Sequence, residues 1–355
     1  MKRGLNSVFA QRETERGKVL RQTADNICVA SGAEAVRDAR HRSEPAEKNG
    51  CILCAASLDV GVVGLFDTRF GMPGSYEIHR CVRCGFEQTF PVLALADLKK
   101  LYEAHYNFGG ETDTFYTRCR ERFLFSFLYR FWTQLDGDIS FHMPRGSGRL
   151  LDIGCNEGRG LRIYARNGFQ AEGLELNQTA AAVARKAGFD VHTCLLEEFD
   201  PATPYDFAVL SNVLEHSPDP RQMLRDAHRI LANGGQVWIS CPNSQSWLRT
   251  VFGRYWINWH VPFHTFHFSP STLRQLLAEA GFAQIKVRQI TPALWVAESF
   301  ITFLFAREGK KNGQLRNAFL TALLMVFARF VLFPVLWLGN RRRRGDCLLA
   351  VAARV

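Results

Sequence analysis

Leu150-Leu151-Asp152-Ile153-Gly154-Cys155-Asn156-Glu157-Gly158-Arg159-Gly160 is the stretch whose reading decides the fold. Leu150 to Ile153 is short and aliphatic, as a buried central strand must be. Gly154 and Gly158 then allow a sharp bend and a close backbone approach to a ligand. A helix beginning near Gly158 would aim its unpaired N–H groups and positive dipole end at that ligand. The glycines fall as G-x-x-x-G-x-G rather than G-x-G-x-x-G, which disfavours a dinucleotide-dependent dehydrogenase. A strand, a glycine turn and a helix of this kind predict a pocket for a nucleotide.

From residue 148 onward strands and helices alternate, which predicts an α/β doubly wound, Rossmann-like sheet. The expected strands are Leu150 to Ile153, Gln170 to Leu176, Asp190 to Cys194, Tyr205 to Asn212, Gln236 to Ser240, Phe282 to Ile290 and Cys347 to Ala353. Helices are expected from Gly158 to Asn167, Thr179 to Ala187 and Arg221 to Leu231, the last stopped by Asn233-Gly234-Gly235. Glu175, near the end of the second strand, is placed to accept the two hydroxyls of an adenosine ribose. Leu195 to Phe199 should edge the adenine, with Glu197 accepting from its exocyclic amine. Asn212, Glu215 and His216 follow the fourth strand at the switch point of such a sheet, where ligands bind.

With Asp152 two residues before the first glycine, the turn resembles motif I of the class I S-adenosylmethionine (SAM) methyltransferases. That family usually reads D-x-G-x-G-x-G, and here Asn156 replaces the middle glycine. Asn tolerates the left-handed region better than most residues. The run from Tyr205 to His216, ending Val-Leu-Glu-His, is similar to ubiquinone-type O-methyltransferases and to zinc-bearing deoxysugar C-methyltransferases. The resemblance covers residues 48 to 290 and the last ten. It implies SAM as cofactor, held by Asp152, Gly154, Cys155, Gly158, Glu175, Leu176, Leu195, Glu197 and Asn212. It also implies that His216 deprotonates the acceptor. The chemistry agrees, because an imidazole titrates near neutrality and a methyl acceptor must shed a proton. Glu215 is expected to orient His216 or a substrate hydroxyl.

Upstream, Cys51-x-x-Cys54 and Cys81-x-x-Cys84 are separated by 26 residues. Two such knuckles bring four thiolates onto one structural zinc ion with no open position for catalysis, so a zinc ribbon is expected over 49–95. Ten cysteines in 355 residues are too few for a disulfide scaffold, which points to a reducing compartment. Residues 1–48 read as a disordered tail without a secretory h-region. Residues 96–145 form a helical, aromatic-rich linker in which Tyr102 and Tyr106 lie one helical turn apart and could face a substrate together. Downstream, the loop after Cys241 carries Trp247, Tyr255, Trp256, Trp259, His260, His264, Phe266 and His267, dense enough to be a lid. Its three histidines invite a metal, but no H-E-x-x-H helix accompanies them. Ser269 reads as the N-cap of the next helix.

Between the last two strands the chain inserts Pro292 to Phe305, then Ala318 to Leu338 with Arg329 as its only charge, then four arginines from Arg341 to Arg344. Twenty-one residues suffice to cross a bilayer, yet the flanking strands must share one sheet, so the chain has to return. An interfacial or re-entrant helical hairpin over 291–344, bent at Pro334 and holding anionic headgroups with its arginines, meets both conditions. A buried helix pair or a dimer interface is the alternative. The net charge of +10 fits an anionic partner. Nucleic acid is disfavoured, because the basic residues sit beside an apolar hairpin rather than on aromatic-bearing strands. The expectation is a SAM-dependent methyltransferase, peripheral on the cytoplasmic face of a membrane. It would modify an O or C atom of a small-molecule, lipid or lipid-linked glycan acceptor. The rivals are a zinc-ribbon RNA-binding protein and an inactive scaffold of the same fold.

Overall fold

Alternating and helical hydrophobic periods separate along the chain, and the computed structural model turns them into two sheets. It describes residues 50–105, 126, 128, 141, 142 and 144–355. The expected tail, Tyr106 and nearly all of the aromatic run after it lie outside the described residues. In chain order the elements begin with β1 (Leu58–Leu65), β2 (Tyr76–Cys81), β3 (Glu87–Phe90) and α1 (Leu95–His105). Next come β4 (Arg149–Ile153), α2 (Arg159–Arg166), β5 (Gln170–Leu174), α3 (Gln178–Lys186), β6 (Val191–His192) and β7 (Tyr205–Ser211). A 3-10 turn at Leu214–His216 leads to α4 (Pro220–Ile230), β8 (Leu231–Pro242), α5 (Trp247–Phe252), β9 (Phe266–His267), α6 (Pro270–Glu279) and β10 (Phe282–Ile290). The chain closes with α7 (Ala293–Phe305), α8 (Ala318–Phe330), α9 (Phe333–Arg341) and β11 (Cys347–Arg354).

The larger sheet runs β10-β11-β8-β7-β4-β5-β6, and only β11 is antiparallel to its neighbours. β10 and β11 pair from Phe282 opposite Arg354 to Ile290 opposite Cys347, so the insertion leaves and re-enters at one sheet end, as the sequence requires. Leu150, Leu151, Val209 and Ile239, on the three central strands, are buried. Ser269 caps α6 with a reciprocal bond to Thr272, the expected N-terminus.

Three local expectations are corrected. Asn233-Gly234-Gly235 does not cap α4; it lies inside β8 as a bulge between Leu231 opposite Tyr205 and Gln236 opposite Phe207. The carbonyls at the end of α4 are satisfied from across the fold, where the Arg354 guanidinium donates to His228 O and Arg229 O. The second strand stops at Leu174, so Glu175 and Leu176 stand past its end, and the third shortens to Val191–His192. In the insertion α8 and α9 bend by 66° at Val331 and Leu332 rather than at Pro334. Pro334 occupies the first turn of α9, where its missing N–H costs nothing.

The smaller sheet runs β1-β2-β3-β9, so the lid loop supplies its last strand. Cys51, Cys81 and Phe86 share one buried cluster with Leu210, Phe266 and Phe268. The cysteine region is therefore packed into the same core as the central strands. A second cluster joins Leu65, Tyr76 and Ile78 to Trp256 and Trp259 of the lid and to Val296, Ala297, Met325 and Ala328 of the insertion.

Candidate active site and cysteine cluster

β4 and β7 are adjacent and parallel, and strand order reverses between them, which opens a crevice at their carboxyl ends. Gly154 (φ 73°) and Gly158 (φ 76°) bend the turn that lines it. A side chain at Gly154 would put Cβ 2.8 Å from Val213, and one at Gly158 would put it 2.8 Å from Ala184. Asn156 takes φ 52°, the left-handed conformation that its replacement of a glycine requires. Asp152 is buried beneath the turn, and burial together with the Glu175 charge pushes its carboxyl up to about 8. Gly160 leaves the room it needs, since a Cβ there would stand 2.7 Å from Asp152 Oδ2. Cys155 is buried and packs with Leu161, Ala181 and Ala184, so its side chain serves the core while its backbone forms the turn.

Glu175 faces the same turn. Its carboxylate accepts from Asn156 N at 2.9 Å and from Asn177 N at 2.8 Å, tying the end of β5 to the glycine turn. Leu176 and Leu195 are exposed at 62% and 42%. Glu197 is exposed as well. Asn212 follows β7 with φ 55°. The side-chain oxygens of Asn156 and Asn212 are buried and have no hydrogen-bond partner among the described residues. Such orphans point to a ligand that completes them. Glu175→Ala should weaken SAM binding by at least about 1.5 kcal/mol in titration calorimetry, the order of a lost charge-assisted hydrogen bond. Unchanged affinity would remove Glu175 from the site.

Past Asn212 the 3-10 turn carries Glu215 and His216 in opposite senses. Both carboxyl oxygens of Glu215 are buried without a partner among the described residues, and burial pushes its pKa up to about 8. The structure does not bring Glu215 to His216. Tyr102 of α1 does that work, its hydroxyl lying 2.7 Å from His216 Nδ1, with Phe263 O at 3.1 Å from the same nitrogen. A carbonyl only accepts, so Nδ1 carries the hydrogen and Nε2 the lone pair. Burial lowers the pKa of His216 to about 4, which keeps the ring neutral. The lid adds His260 and His264, whose rings stand 6.0 and 4.5 Å from that of His216. His267 turns away to the smaller sheet, its Nε2 at 3.0 Å from Thr89 Oγ1. Arg69, paired with Glu298 at 3.7 Å, adds positive charge to the pocket and carries no signal in the sequence. Nothing in the pattern around it marks it, because an insertion residue 229 positions away supplies its partner.

Cys51, Cys54, Cys81 and Cys84 converge as their spacing requires, with Sγ atoms of Cys51 and Cys84 at 3.5 Å and of Cys54 and Cys81 at 3.4 Å. Those separations are too long for disulfides and close to the about 3.8 Å edge of a tetrahedral zinc–thiolate site. Burial raises the Cys81 thiol, but N–H groups of Cys84 and Arg83 and the neighbouring thiols bring it down to about 6, favouring the ligating thiolate. The four cysteines are compatible with a zinc site.

A family model described as a methyltransferase domain matches residues 116–287. The ubiquinone biosynthesis O-methyltransferase of Sodalis glossinidius is 32% identical over 156 residues, 37% of this chain and 63% of that protein. Its namesake in Thiobacillus denitrificans is 30% identical over 157 residues, 40% of this chain and 68% of that protein. Among solved structures, a SAM-dependent methyltransferase of Thermotoga maritima, titled a possible histamine N-methyltransferase, aligns with a TM-score of 0.43 at 19% identity, covering 73% of this chain and all of that one. Glycine turn, strand order and sequence relatives agree, and the chain belongs to the class I SAM-dependent methyltransferases. It spans 63% of the length of the Sodalis relative.

Proposed function

We propose that the protein transfers the methyl group of SAM to a hydroxyl oxygen of a small-molecule acceptor seated at the end of β7 against His216. One observation supports this reading: the glycine turn after β4 and the half-buried His216 after β7 both follow the carboxyl ends of adjacent parallel strands. The ubiquinone biosynthesis O-methyltransferase relatives support an oxygen acceptor. The sulfonium is already activated, so the protein must align the two partners and receive one proton. The acceptor O–H breaks as its proton passes to His216 Nε2, an O–CH3 bond forms, and S-adenosylhomocysteine leaves. Asp152, Glu175 and Asn212 would hold the cofactor, with Leu176, Leu195 and Glu197 at its adenine. Mass spectrometry of extracts from a deletion strain tests the reading. A metabolite lighter by one methyl group supports it, and an unaltered metabolite profile refutes it.

Zinc on the four cysteines would be structural, holding β2 and β3 under the lid.

We also propose that the protein works on a membrane surface, on a lipid or lipid-linked glycan, from the cytoplasmic face. No single described helix is long and apolar enough to cross a bilayer. Support comes from the insertion, where Phe319, Phe330, Val331, Phe333 and Trp337 are exposed, Phe319 by 80%. Arg341 to Arg344 follow directly, and Arg344 lines a cleft of about 460 Å³ with Arg80 and Arg249. Burying this apolar face at about 25 cal/mol per Å² contributes several kcal/mol, and each arginine adds about 1 kcal/mol on anionic lipid. The intact chain should sediment with anionic liposomes, be released in part by high salt and fully by detergent. Replacing the exposed Phe319, Phe330, Phe333 and Trp337 by Ser, which leaves the buried face of the insertion in place, should abolish sedimentation while the protein still binds SAM. A discrete dimer that stays in the supernatant would make the face a subunit interface instead.

A further inference from the structure

We propose that His216, His260 and His264 form a second metal site, for a divalent transition-metal cation that takes the acceptor oxygen as its fourth ligand. One ring nitrogen from each of the three lies within 4.8 Å of the other two. In a bound tetrahedral site the nitrogens stand about 3.4 Å apart, so side-chain rotations of little more than 1 Å close the set. Burial supports it, since His260 is 7% exposed and His264 5%. Tautomers support it independently. His264 Nδ1 lies 2.8 Å from Asn258 O, and His216 Nδ1 meets Phe263 O, so in both rings a main-chain carbonyl takes the Nδ1 hydrogen. A metal-bound histidine makes this contact with its other nitrogen, and it leaves the lone pair on Nε2.

The electrostatics select the fourth ligand. All three imidazoles are held neutral by burial, His260 and His264 well below the ordinary value, and neutral rings suit a cation of the zinc, cobalt or iron class. The Arg69 charge acts on all three rings and is only partly offset by Glu298 at 3.7 Å; it opposes a bare cation, so a divalent ion there needs an anionic oxygen beside it. A coordinated hydroxyl releases its proton to water and remains as that anion. The cation would take over the work given above to His216 Nε2.

The inference rests on the proposed function only in seating the acceptor here, and its test is read without turnover. Full-length protein carrying zinc on its cysteines is titrated with cobalt(II). A second equivalent should bind, with visible d–d bands and without thiolate charge transfer. His260→Ala and His264→Ala should each weaken it at least about 100-fold while SAM binding stays within about threefold. Saturation at one equivalent of total metal overturns the site, as does a second equivalent untouched in both variants. Should a variant fail to bind SAM, X-ray absorption on the wild-type cobalt decides. Nitrogen and oxygen neighbours sustain the site, and sulfur overturns it. Protein that binds the second cobalt and methylates nothing keeps this site and loses the methyl-transfer reading; the converse separates them the other way.

Discussion

His216→Ala should lower kcat by about 100-fold or more while SAM affinity stays nearly unchanged, if the ring receives the acceptor's proton as proposed. Tyr102 and Phe263 fix its tautomer, and burial holds its pKa at about 4. A base acts unprotonated, so a lowered pKa extends its working range downward. With no metal on the three histidines, the kcat of the wild type at saturating SAM should therefore stay flat from about pH 8 to about pH 5 and fall only below. Tyr102→Phe should keep most of the activity while releasing the ring, so a shift of the acid limb in that variant checks the tautomer argument. A loss under threefold in His216→Ala would move proton removal elsewhere in the pocket, with Tyr102 or His260 next in line.

The second large effect is expected at the cysteines. Cys81→Ser should take the thiolate-bound zinc from about one equivalent to below a tenth, since structural zinc sites contribute on the order of 10 kcal/mol to folding. Sequence alone suggests a separable ribbon whose loss leaves SAM binding intact. The structure extends the expectation. β3 pairs with β9 of the lid, and Thr89 Oγ1 donates to His264 O at 2.6 Å while facing His267. Loss of the ribbon should therefore loosen His264 and His260, so turnover collapses even where the strands β4, β5 and β7 still bind SAM. Metal analysis, SAM calorimetry and kcat on the same preparation check this. Zinc-free protein with wild-type turnover would show that the four thiols need no metal.

The central sheet and the cofactor turn are legible in the sequence for a local reason. Leu150 to Gly160 is a continuous strand, bend and helix start, so its apolar run, positive-φ positions and buried acid are all encoded within eleven residues. Cys51, Cys54, Cys81 and Cys84 were legible in the same way, because two short knuckles need only converge once. Strand ends were less so: Glu175 leaves β5 because its carboxylate is drawn to Asn156 N and Asn177 N, and Asn-Gly-Gly becomes a bulge because Arg354 caps α4 from the far end of the chain. The reaction pocket arises from long-range packing. It turns Glu215 into the core and leaves His216 half-buried, and brings Tyr102, Arg69, His260 and His264 to one place from three separate segments. No periodicity marks such a set, because its members come from segments far apart in the chain. Packing of α1 and the lid against the end of β7 creates the proximity, and burial there, rather than residue type, sets each group's charge.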